Sequence, residues 1–130
     1  MHTARLEIKL FIRDPSGIRN EEFVPIFHRW IQGQADGDLL IDVADYRHLH
    51  HGPGVVLVAY GAHWATDSAE GRLGLSYARK RDAEKDFEPR LVSSLRALLG
   101  ACRRIEEEPE FVGRLVFSTD EIRLTIADRL

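Results

Sequence analysis

The residues best suited to chemistry cluster around one turn. Segment 45–64, DYRHLHHGPGVVLVAYGAHW, holds four of the six histidines. His48, His50 and His51 stand just before a Gly-Pro-Gly turn, with Arg47 beside them. Imidazoles two residues apart on an extended strand share a face, so His48 and His50 can grip zinc, copper or nickel. A structural or catalytic zinc needs a third or fourth protein ligand. His51 is the remaining candidate, and no acid adjoins it.

The fourth histidine of the segment belongs elsewhere. Suppose the strands on either side of the turn form a hairpin centred near His51 and Gly52. Antiparallel pairing then sets His48 opposite Val55 and His63 opposite Leu40. Those positions are about 30 Å apart along the sheet. His63 is therefore expected at the far end with Asp38, Trp64 and Asp67. A histidine with two carboxylates can do acid–base or metal work, but this spacing fits a wet loop rim better.

The same register reasoning predicts an anion site. If the next hairpin turns within 66–70, Val56 faces Arg79 and Val55 faces Lys80. Arg79, Lys80 and Arg81 then share a corner with Arg47, His48, His50 and His51. Such a basic corner binds phosphate, a nucleotide or an acidic partner surface. Charged strand ends are also common as solvated sheet rims. No glycine-rich phosphate loop or dinucleotide fingerprint accompanies it.

Other reactive residues read as structural. Asp42 and Asp45 interrupt an apolar strand on opposite faces; an ion pair with Arg5, Lys9 or Arg79, or simple exposure, accounts for them better than a ligand pocket. His28 falls on the polar flank of a helix. Cys102 lies in an apolar helical stripe, where a thiol packs as a small hydrophobe. Ser93 and Ser94 lack the strand–turn–helix setting of a nucleophile elbow.

The elements that must position these residues follow from periodicity. Leu6, Ile8, Leu10 and Ile12 alternate with polar residues, marking a half-buried strand. Phe23, Ile26, Phe27, Trp30 and Ile31 form a helical stripe, with Pro25 in the first turn and Gly33 as the stop. Strands are expected at 39–46, 54–64 and 71–81. Asp86 should cap a long helix whose stripe runs from Phe87 through Leu98 to Ile105. Three glutamates at 106–108 oppose that helix's dipole. Thr119, Asp120 and Glu121 read as the turn of a closing hairpin.

The expected order is β-α-β-β-β-α-β-β, an α+β two-layer sandwich with a mainly antiparallel sheet and two helices on one face. Val55 to Tyr60 is apolar on both sides, so the open face needs cover. A homodimer through the sheet would supply it, as would a curled sheet that covers itself. The 130 residues suit one domain. The net charge of -3 disfavours nucleic acid. One cysteine excludes an internal disulfide and suits a cytoplasmic setting. No segment reaches the roughly 20 apolar residues of a membrane span, and 1–14 lacks the apolar run of a signal peptide.

At VPIFHRWIQ, LLIDVADYRHLHHGPGVVLVAY, GRLGLSYARKR and the final IADRL, the chain resembles a family of small bacterial proteins without an established activity. That resemblance implies a bacterial, cytoplasmic protein and assigns no chemistry. The residues themselves point to a non-catalytic binding domain for an anionic ligand or partner, acting as a homodimer. A metal-binding protein or metal-dependent enzyme using His48, His50 and His51 is the alternative.

Overall fold

A computed structural model describes residues 3–33, 39–46, 54–80 and 86–129. In chain order the elements are β1 (Thr3–Ile12), α1 (Phe23–Gly33), β2 (Leu40–Asp45), β3 (Val55–Ala59), β4 (Ala62–Asp67), β5 (Gly74–Arg79), α2 (Phe87–Glu107) and β6 (Phe117–Arg129). The strands form one sheet in the order β2-β3-β4-β5-β1-β6, and every pairing is antiparallel. This is an α+β fold with both helices on one face. There α1 lies over β2 and β3, and α2 over β5 and β1.

Alternation in β1 decides what faces the helices. Leu6, Ile8 and Leu10 join one core with Phe23, Phe27 and Trp30 of α1 and Leu98 and Ile105 of α2. Cross-strand partners share a face, so Leu75 and Tyr77 of β5 extend this layer from Leu10 and Ile8. Trp64 follows beside Tyr77, and Leu57 beside Trp64. Two of the three glutamates at the end of α2 have partners that offset the unfavourable helix dipole. Glu106 accepts the Phe117 N–H at 2.8 Å, and Glu108 accepts from Trp30 Nε1 at 2.7 Å and from Arg29 at 2.9 Å.

Two expected elements are corrected. Segment 54–64 is a hairpin, β3 and β4, reversing at Tyr60 and Gly61. The expected closing hairpin is the single strand β6. The observed order is therefore β-α-β-β-β-β-α-β. The turn-like residues of β6 mark an irregularity instead. Between its pairings at Leu10–Ile122 and Ile12–Phe117 the register shifts, setting residues 118–121 of β6 against the single Phe11 of β1.

The middle of the second face is also closed. Lys9, Phe11, Val56, Ala65, Ser76 and Ala78 point away from the helices yet are buried. The doubly apolar stretch is thus not left bare, which removes the reason for covering that face with a second copy.

Candidate functional site

The expected corner meets the observed register first at Arg79. It pairs with Ala62, not Val56. Lys80 donates its backbone N–H to Gly61 O at 2.9 Å and its ammonium to Ala59 O at 3.0 Å. Both residues therefore sit at the Tyr60–Gly61 end of the sheet. Tyr46 and Gly54 mark the other end, where Tyr46 N–H donates to Gly54 O and Gly54 N–H to Thr66 O. The reversal at Tyr60 and Gly61 is the cause: it puts β4, not β3, beside β5. Arg47, His48, His50, His51 and Arg81 lie outside the described residues, as does Asp38. The register gives no reason to join the histidine turn to Arg79 and Lys80.

A different basic group does assemble at this end. His63 of β4 pairs with Ala78, and Ala78 with Glu7 of β1, so the three share the face away from the helices. Arg5 lies two residues from Glu7 on the same face. Burial, the nearby Arg5 and, more weakly, Lys80 push the His63 pKa below its ordinary value, while Glu7 opposes them. Arg5 and Lys80 are exposed and His63 and Glu7 are half-buried. Arg79 turns to the helix face, where its Nε donates to Tyr77 Oη at 3.3 Å. The arrangement at this end offers two full cations and a neutral imidazole against Glu7, the one carboxylate here among the described residues. It can hold a carboxylate or phosphate, and an anion bound there would draw a proton onto His63.

His63 and Asp67 share this face but stand about 13 Å apart along β4. Trp64 faces the core instead. The expected histidine–aspartate grouping is therefore not formed by these residues. Asp42 and Asp45 are exposed on β2 at the sheet edge, facing opposite sides as expected. Cys102 is buried, and burial drives its thiol pKa well up, leaving it poorly nucleophilic. Among the described residues no three histidine, cysteine or acidic side chains gather as a metal site.

Sequence reading missed Lys9. It is 2% exposed, with its ammonium donating to Arg72 O at 2.7 Å and lying 3.3 Å from Asp67 Oδ1. Burial lowers its pKa, and Asp67 partly restores it. The guanidinium of Arg72 covers the Phe11 ring at 3.8 Å while gripping Glu121 through two hydrogen bonds of 3.0 and 2.7 Å. A buried amine with a lowered pKa can serve as a base or nucleophile. Here its bonds to Asp67 and Arg72, and its closure from solvent, make it a clamp across β1, β4 and the β5 approach. Alternation placed Lys9 on a polar face, and nothing local signals that this face is closed.

No family model matches this chain, and neither a curated protein nor a solved structure does so. Among the described residues no helix is long and apolar enough to cross a membrane.

Proposed function

We propose that this chain is a non-catalytic binding domain for an anionic ligand or partner and acts as a homodimer. The observation that supports the anion reading is the meeting of Arg5, His63 and Lys80 at one end of the sheet face away from the helices, with Glu7 as the one opposing carboxylate among the described residues. Two exposed cations make an electrostatic landing point. The half-buried imidazole behind them supplies a directed N–H once an anion raises its pKa.

Calorimetric titration with inorganic pyrophosphate tests the reading. Saturable, salt-sensitive binding is expected, weakened about tenfold or more in Arg5→Ala/Lys80→Ala, which corresponds to about 1.4 kcal/mol. A double variant that binds pyrophosphate as tightly as the native chain would remove the site.

A further inference from the structure

Apolar side chains left in solvent line β6 in a regular row. Ile122, Leu124 and Ile126 pair with Leu10, Ile8 and Leu6, so they face the helix layer. They are nevertheless 44%, 39% and 51% exposed, because α2 lies over β5 and β1 and stops short of this edge strand. On α2, Val92, Leu99 and Glu106 recur every seven residues and form one line along the helix. Glu106 is bound to the N–H of Phe117, the first residue of β6. The same line therefore overlooks β6, and it carries the exposed Val92 and Leu99. At 1.5 Å per helical residue, Leu99 and Val92 stand about 10 and 21 Å from Glu106. Counting along the paired β1 positions from Phe117, Ile122, Leu124 and Ile126 stand at about 7, 13 and 20 Å. Helix flank and strand row thus form one apolar step.

We propose that this step is the surface on which a second copy of the chain docks, through a two-fold axis running along the strands. It deepens the homodimer reading above and rests on it, while being independent of the anion site. The step matches itself in shape. A helix is about 10 Å across, and stacked sheets lie about 10 Å apart. A second β6 laid on the first therefore fills the space beside α2, and the second α2 covers the free edge of the first β6. That cover also answers the liability of a long unpaired edge. The opposite edge also exposes Leu39, Ile41 and Tyr46, but β2 is short, irregular in register after Leu40 and interrupted by exposed Asp42 and Asp45, so it offers no long regular row.

Charge agrees with the same axis. It preserves level along the strands, so Arg103, about 4 Å along α2 from Glu106, comes beside residues 118–121 of the other copy. Arg103 and Asp120 are both exposed, and their side chains have no partner among the described residues. The strip is about 30 Å long and about 20 Å wide, or roughly 600 Å² per copy, at the lower end for specific interfaces. The dimer is accordingly concentration-dependent.

Sedimentation velocity across a concentration series tests it, with circular dichroism to verify folding. The native chain and Ile41→Arg, a control at the opposite edge, should dimerise. Leu124→Arg and Leu99→Glu should weaken dimerisation at least tenfold while remaining folded. Should both unfold, Leu124→Cys provides the reading: a short bis-maleimide should link two copies, since Cys102 is buried. A native chain that stays monomeric overturns the inference and the homodimer reading together. A native dimer that persists in the folded variants, or that Leu124→Cys fails to link, overturns this surface alone.

Discussion

Lys9 shows how a residue can be misread from local pattern alone. In RLEIKLFI it occupies the polar phase of an alternating strand, and that phase is right. Its solvent exposure is not, because Phe11 and Arg72 close over the same face. Burial of an ammonium stabilises the fold only while its partner remains. Asp67→Ala should therefore cost about 2 kcal/mol in urea unfolding, less than for a fully enclosed pair because water reaches Asp67. Lys9→Met should stay within about 1 kcal/mol of the native chain, since it removes the charge that needs the partner. The reverse ranking would show that the ammonium itself stabilises the fold. His63 was expected at the far end of one long strand; it lies instead on β4, opposite Val58, and the histidine turn itself lies outside the described residues. The neighbours of His63, Arg5 and Lys80, were not foreseen, because they come from strands 58 and 17 residues distant in sequence.

At the scale of elements, helices were more legible than strand ends. The stripes of α1 and α2 and their proline-bearing first turns appear directly in the sequence, since helix contacts recur every three or four residues. Tyr60 and Gly61 carry a weaker turn signal than Asn-Gly or Asp-Gly, and apolar residues continue on both sides, so two strands read as one. Thr119, Asp120 and Glu121 have turn chemistry, but pairing with β1 keeps the chain running forward and their excess length becomes a register shift. Gly74 is constrained by a neighbour rather than by its own dihedrals. A Cβ there would collide with the Leu10 carbonyl oxygen and meet Lys9 Cε at 2.9 Å. The carbonyl belongs to the β1–β5 ladder and cannot retreat cheaply. Gly74→Ala should destabilise the protein by about 1–3 kcal/mol, measured as a lower urea midpoint at unchanged slope. An unchanged midpoint would mean that the two strands can separate freely at this point.

For the whole molecule, class and layering follow from two amphipathic helices and alternating strands, and the sheet is antiparallel as expected. What composition cannot show is where apolar excess remains after folding. The middle of the suspected open face is closed, while the excess lies at the two sheet edges and the flank of α2. The site likewise depends on register: one unrecognised reversal moved Arg79 and Lys80 to the other end of the sheet. The central claim is that this end receives an anion. His63 reports on it most directly, because Arg5 and Lys80 help hold its pKa below 6.5 in the free protein. The decisive measurement is an NMR pH titration of the His63 imidazole with and without sulfate, an anion of fixed charge near neutral pH. The account predicts a pKa below 6.5 without sulfate, and a clear rise with sulfate that disappears in Arg5→Ala/Lys80→Ala. A His63 titration indifferent to saturating sulfate would contradict it.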